Sequence, residues 1–80
     1  MLNFVERQRQ RLTYLEALYQ LVGGSLFAAV AHEEIQRHAT LSEEIAEDAY
    51  RFLLDEEFIK VKDLKGKVRI TSRGARVCEA

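Results

Sequence analysis

The 80-residue sequence predicts a mainly α-helical domain with one small β-hairpin near its C-terminal end. Apolar residues recur at three- and four-residue spacing before residue 58, a pattern that indicates amphipathic helices. Between residues 59 and 71 they alternate with polar residues on either side of Gly66, which indicates two strands joined by a turn. Since 48% of the residues are apolar, the chain is expected to fold as one globular unit.

The first helix is predicted from about residue 4 to about residue 22. Asn3 followed by Glu6 is typical of a helix N-cap with an acid in the first turn. The pair Gly23–Gly24 ends the helix. The apolar stripe expected to face the core consists of Leu12, Leu15, Leu18, Tyr19 and Val22.

Two further helices are predicted after this one. Residues 25–30, SLFAAV, fit either a short buried strand or the first turn of the second helix, capped by Ser25. The second helix is predicted at about 31–39, and Ser42 is a good N-cap for a third helix at about 43–57. The third helix is expected to bury Ile45, Ala49, Phe52 and Leu53.

The hairpin is predicted at about 59–71, with a turn at residues 64–66. Ile59, Val61, Val68 and Ile70 alternate with cationic residues and are expected to face the core. Ser72 can cap a last short helix at about 73–79. The element order is therefore three helices, a hairpin and a terminal helix.

A run of 46 residues, HEEIQRHATLSEEIAEDAYRFLLDEEFIKVKDLKGKVRITSRGARV, resembles the winged helix-turn-helix superfamily. It has a second helix, a joint with a buried Leu41, a third helix, the apolar pair Phe58–Ile59, a hairpin, and the closing pattern Ile70–Thr71–x–x–Gly74. The chain departs from the family pattern at Thr40 and at Glu56–Glu57, where glycine is usual, so slightly different turns are expected there.

The resemblance implies a three-helix winged helix-turn-helix domain that binds DNA through the third helix and the hairpin, as in transcription regulators. Phosphate contacts are then expected from the cations of the hairpin: Lys60, Lys62, Lys65, Lys67 and Arg69. Exposed lysines also keep edge strands soluble, so this composition by itself leaves a purely structural role open.

The third helix is acidic for a helix that reads DNA. Residues 42–59 carry seven carboxylates and one arginine, whereas residues 60–76 carry seven cations and one aspartate. The face opposite the predicted buried stripe presents Ser42, Glu43, Glu44, Glu47, Arg51 and Leu54. One acid in a groove can accept a hydrogen bond from cytosine, but several facing phosphates repel them.

Two hypotheses about function therefore remain open. The first is a DNA-binding module in which the hairpin supplies affinity and the acids select among sequences. The second is a protein-interaction module that docks a partner on the acidic third helix, with Leu54 and Tyr50 as its apolar patch. The opposed charges could also attract a second copy of the chain.

Phe4 and Val5 lie one or two turns beyond the core stripe of the first helix. Small domains often gain buried area by pairing, and symmetric dimers are the commonest assembly. The sequence therefore predicts a homodimer in which these two residues pack on the partner.

No residue pattern supports an enzyme, and no cofactor or metal is expected. His32 and His38 are six residues apart, so they do not share a helix face and are expected to be solvent-exposed. Gly66–Lys67 lacks the rest of a phosphate-binding loop. A lone Cys78, no apolar run of about 18 residues and no apolar signal segment predict a cytoplasmic protein without a membrane partner.

Overall fold

The computed structural model describes residues 3–62 and 64–80, and these form four helices and one antiparallel hairpin. The elements are α1 Phe4–Leu21, α2 His32–Ala39, α3 Glu43–Asp55, β1 Ile59–Val61, β2 Val68–Ile70 and α4 Ser72–Glu79. The predicted fold class, mainly helical with a small hairpin and a C-terminal helix, is confirmed. Within the described ranges, every helix is too short or too polar to cross a membrane.

Side-chain caps set the start of three helices. Asn3 Oδ1 accepts a hydrogen bond from the backbone N–H of Glu6 at 2.8 Å, as predicted for α1. Ser42 Oγ accepts one from Ile45 at 3.2 Å at the start of α3. The cap of α4 is Thr71 rather than Ser72, so the prediction for that helix was wrong by one residue.

The core contains side chains from every helix and both strands. Its fully buried members include Tyr14, Leu15, Leu18, Ile35, Ala46, Ala49, Ile59, Val68 and Ile70. Two predicted core stripes need correction. Leu12 is 40% exposed, and the buried face of α3 includes Ala46, while Ile45 and Phe52 are half-buried. The small side chain of Ala46 allows that face of α3 to turn inward.

Residues 25–30 form neither a strand nor a helical turn, although both were predicted as alternatives. Ser25 Oγ accepts hydrogen bonds from the N–H groups of Phe27 and Ala28, at 3.2 and 3.3 Å. Val30 then makes a single antiparallel bridge with Val68, exchanging backbone hydrogen bonds of 2.9 and 2.7 Å. The loop is therefore attached to the outer edge of β2.

The pairing of the strands decides which side chains face solvent. Ile59 lies opposite Ile70, and Lys60 lies opposite Arg69. Both isoleucines are fully buried, and neighbouring residues on a strand point to opposite faces. Lys60 and Arg69 therefore project together from the outer face of the hairpin. Val61 was also predicted to face the core, but that prediction was wrong, because Val61 lies at the tip end of β1 and is 40% exposed.

The closing Thr–x–x–Gly pattern joins α4 to the start of β1. Thr71 Oγ1 accepts a hydrogen bond from Gly74 N at 3.1 Å and donates one to the carbonyl of Glu57 at 2.8 Å. A Cβ atom at Gly74 would clash with the carbonyl oxygen of Phe58 and lie 3.0 Å from Ile70 Cγ1. Only glycine permits this close approach.

Among residues 3–62 and 64–80, two non-glycine residues adopt the left-handed conformation, Thr40 with φ 56° and Glu57 with φ 63°. They lie at the two places where the sequence lacks the glycine that is usual in the resembled superfamily. The left-handed region costs an ordinary residue about 1–2 kcal/mol, because Cβ approaches the following carbonyl oxygen. The chain therefore carries strain at the joint before α3 and at the exit from it.

Replacing Glu57 with glycine is expected to raise the free energy of unfolding by about 0.5–1 kcal/mol, since relief of this strain exceeds the entropy that glycine loses on folding. Urea denaturation measures the change. Glu56→Gly is the matched control, because Glu56 has a right-handed φ of −84° and is also exposed. The control should lower stability, and equal effects of the two substitutions would contradict the assignment of strain to Glu57.

Candidate nucleic-acid interface

The outer face of the hairpin carries four of the five predicted cations. Lys60 pairs with Arg69, and the backbone N–H of Lys62 donates to the carbonyl of Lys67 at 2.7 Å. Because residues two apart on a strand point to the same face, the two cross-strand pairs share a face. Lys65, the fifth, is exposed in the turn at the tip. We call the set Lys60, Lys62, Lys65, Lys67 and Arg69 the basic face.

Two of these cations hold the loop that precedes α2. Lys62 Nζ donates to the carbonyl of Phe27 at 3.2 Å, and an Arg69 guanidinium N–H donates to the carbonyl of Leu26 at 3.3 Å. Neither bond uses all the donors of its side chain. Both side chains can therefore still donate hydrogen bonds to an anion.

The charge that the basic face presents depends on the carboxylates close to it. Among the described residues, no carboxylate oxygen lies within 4.0 Å of the charged nitrogens of Lys60, Lys62, Lys67 or Arg69. Their positive charge is therefore available to a partner.

A cleft of about 370 Å³ lies beside the basic face, between the loop that precedes α2 and the start of α4. We call it the hairpin cleft. It is lined by Leu26, Phe27, Glu57, Lys60, Arg69, Thr71, Ser72 and Arg73. The sequence did not single out Phe27 or Arg73, because only the folded chain brings the loop and the first turn of α4 to the strands.

The exposed face of α3 is mainly acidic. Ser42, Glu43, Glu44, Glu47 and Arg51 line a broad, shallow groove. Arg51 pairs with Glu47 at 2.9 Å one helical turn away, and both side chains are well exposed. Such a pair contributes only about 0.3–0.5 kcal/mol to stability. The groove therefore keeps a negative charge from its other two glutamates.

One α3 carboxylate turns away from this groove. Arg11 Nε lies 3.2 Å from Asp48 Oδ2, and the Arg11 guanidinium lies 3.9 Å from the centroid of the Phe52 ring. These contacts join α1 to α3 and leave Asp48 paired. The negative charge that α3 presents to a partner is therefore smaller than the number of its acidic residues suggests.

The predicted apolar patch on α3 is only partly present. Leu54 is 36% exposed, but Tyr50 is half-buried and its ring contacts His32 edge-on, with centroids 5.2 Å apart. Leu54 is therefore the main apolar side chain that this face offers to solvent.

His32 is half-buried, so its predicted solvent exposure was wrong. Its Nδ1 lies 2.7 Å from the hydroxyl of Tyr14, which is fully buried. Burial raises the pKa of the Tyr14 phenol well above its usual range, which keeps the phenol protonated. The contact gives the hydroxyl of the buried Tyr14 a hydrogen-bond partner. His38 is exposed, as predicted, and contacts Gln20 Oε1 at 3.0 Å.

Cys78 on α4 is a half-buried free thiol. Burial raises the pKa of the Cys78 thiol to about 11, so the thiol is protonated near neutral pH and is a weak nucleophile. In residues 3–62 and 64–80, no group of three or more His, Cys, Asp or Glu side chains could hold a metal ion.

A separate apolar surface lies on α1. Phe4 is 72% exposed and Val5 is 63% exposed. Leu12, two turns further along, borders an apolar groove of about 280 Å³. The other lining residues of this groove are Gln8, Arg11, Leu15, Phe52, Leu53, Phe58 and Val77.

No protein-family model matches the sequence, and no curated protein or solved structure matches it either.

Proposed function

We propose that this domain binds double-stranded DNA, as the DNA-binding module of a transcription regulator of the winged helix-turn-helix kind. The observation that supports the proposal is the basic face, where cations project from one side of the hairpin and most lack a carboxylate partner in the described residues. Cations grouped in this way displace counterions from several phosphates, which is the main source of non-specific DNA affinity. In the resembled superfamily this hairpin is the wing.

The proposal also explains how the acidic face of α3 would act on DNA. A carboxylate in the major groove is repelled by phosphates at every sequence, and a hydrogen bond from cytosine N4 offsets this repulsion only where cytosine is present. Glu43, Glu44 and Glu47 would then lower overall affinity and sharpen selection, while the basic face supplies the attraction. We place this activity in the cytoplasm, because a single cysteine is typical of reducing compartments.

Binding to random-sequence duplex DNA at low and at moderate salt tests the proposal. The logarithm of the affinity should fall linearly with the logarithm of the salt concentration, because each phosphate contact releases counterions. Absence of binding even at low salt would contradict DNA binding.

A second candidate function is docking of a basic protein on α3. It is favoured by the groove that Ser42, Glu43, Glu44, Glu47 and Arg51 line, since this groove is exposed and mainly acidic. Electrostatic complementarity would direct such a partner to the groove and make its binding sensitive to salt.

We also propose that the domain forms a homodimer through α1. Phe4, Gln8 and Leu12 are spaced by four residues, so they follow one face of the helix. If two copies of α1 cross antiparallel near Gln8, Phe4 of each copy meets Leu12 and the apolar groove of the other. Burying one such side chain contributes about 1.5–3 kcal/mol, and the two-fold axis doubles it.

Replacing Phe4 and Val5 with serine is expected to convert the dimer to a monomer at micromolar concentration, because the apolar contact is lost from both copies. Sedimentation equilibrium measures the assembly. Stability of the monomer should change little, since both side chains are exposed. Leu64→Ser, at a fully exposed residue in the hairpin turn, is the control and should leave the dimer intact. A monomeric wild-type protein would refute the dimer.

A further inference from the structure

We propose that the hairpin cleft is a subsite for an unpaired nucleotide, whose base stacks on Phe27 and whose phosphate lies among Lys60, Arg69 and Arg73. The inference rests on the proposed DNA binding and extends it. It assigns the domain a preference for duplexes that carry a single-stranded end or gap over fully paired ones.

Phe27 presents its ring to solvent from a backbone that is held in place. The side chain is 83% exposed, and it lines the hairpin cleft. Its N–H donates to Ser25 Oγ, and its carbonyl accepts a hydrogen bond from Lys62 Nζ, both at 3.2 Å. Arg69 holds the preceding carbonyl, that of Leu26, at 3.3 Å. Because the loop is already ordered, binding a flat partner costs little further ordering.

The cleft beneath this ring is positively charged. Lys60 and Arg69 line it from the paired strands. Arg73 lines it from the first turn of α4, with its guanidinium 5.1 Å from the centroid of the Phe58 ring. Glu57 is the one acid among the lining residues, so the cations outnumber it by three to one. Its volume of about 370 Å³ is within the range of small-molecule sites and suits a phosphate with its sugar.

An aromatic ring beside a phosphate-sized cationic site matches the chemistry of an unpaired nucleotide. Every base has a flat face that can stack on a side chain whatever its sequence, as in proteins that bind single strands. In a duplex both faces of each internal base are covered by its neighbours, so a ring can reach them only by opening the stack. Fully paired DNA can therefore bind the basic face through its phosphates without a base stacking on Phe27.

The inference is tested by measuring binding to three DNA ligands at one moderate salt concentration. They are a blunt duplex, the same duplex with a short single-stranded tail, and one strand of that duplex alone. Wild-type protein should bind the tailed duplex about five-fold or more tightly than the blunt one, since one stacked base contributes at least that factor. Phe27→Ala should remove this advantage and leave blunt-duplex affinity unchanged. Phe27→Leu, which keeps an apolar side chain, should remove most of it.

Arg73→Ala separates the phosphate part of the subsite from the stacking part. In this variant the slope of log affinity against log salt should become shallower for the tailed duplex and stay unchanged for the blunt one. Arg37→Ala is the control, because it removes the same charge from an exposed position on α2, outside the cleft. Circular dichroism verifies that each variant is folded.

The outcomes distinguish this inference from the function on which it rests. Equal binding of the blunt and tailed duplexes by wild-type protein overturns the subsite and leaves duplex binding in place. An equal loss for both ligands in Phe27→Ala also overturns it, because the ring would then be acting on paired DNA. Failure to bind any of the three ligands overturns both proposals.

Discussion

Replacing Lys60 and Lys67 with alanine is expected to lower the affinity for random duplex DNA about 100-fold at about 50 mM salt. The reason is that loss of each phosphate contact lowers the affinity about tenfold at this salt concentration. The slope of log affinity against log salt should become shallower by about two units, one for each contact. Fluorescence anisotropy over a series of salt concentrations measures both quantities. Folding should be little affected, because both side chains are exposed on the hairpin.

The control for this result removes the same charge elsewhere. Arg9 and Arg37 are exposed on α1 and α2, away from the hairpin. Replacing both with alanine changes the net charge equally and should leave the slope nearly unchanged. If the two double variants weaken binding to the same extent, net charge rather than the basic face carries the affinity.

Replacing Glu44 and Glu47 with glutamine is expected to separate the two candidate functions. If α3 lies in the groove, non-specific DNA affinity should rise about tenfold at low salt, since each carboxylate about 6 Å from a phosphate costs about 0.7 kcal/mol in water. Discrimination in favour of cytosine-containing sites should weaken at the same time. If α3 instead docks a basic protein, DNA affinity should stay the same and binding of that partner should weaken.

This variant keeps side-chain size, so its effect on stability should be small. It removes the exposed pair between Glu47 and Arg51, which contributes about 0.3–0.5 kcal/mol. Glu6→Gln with Glu16→Gln on α1 is the matched control, because both residues are exposed and distant in sequence from the acidic groove. Unchanged DNA affinity together with unchanged assembly would count against both functions and leave the acids as a solvated surface.

The sequence by itself determined the order of the elements and most of their ends. The caps Asn3 and Ser42, the stop at Gly23 and the alternation around Gly66 are local signals, because each acts within about four residues along the chain. It also placed the cations of the hairpin on one face, since strand pairing and alternation follow from the same pattern. The acidic composition of α3 needed no tertiary information either.

Tertiary structure decided the features that depend on residues far apart in the chain. The contact of His32 with Tyr14 spans 18 residues, and the contact of Arg69 with Leu26 spans 43. Which face of α3 is buried depends on its packing against α1, and the course of residues 25–30 depends on the bridge to β2. The hairpin cleft arises in the same way, because Phe27 and Arg73 line one cleft only when the chain has folded. The periodicity of apolar residues indicates whether a side chain faces the core. It does not indicate which side chain of another element it contacts there, because that pairing is set by packing over the whole chain.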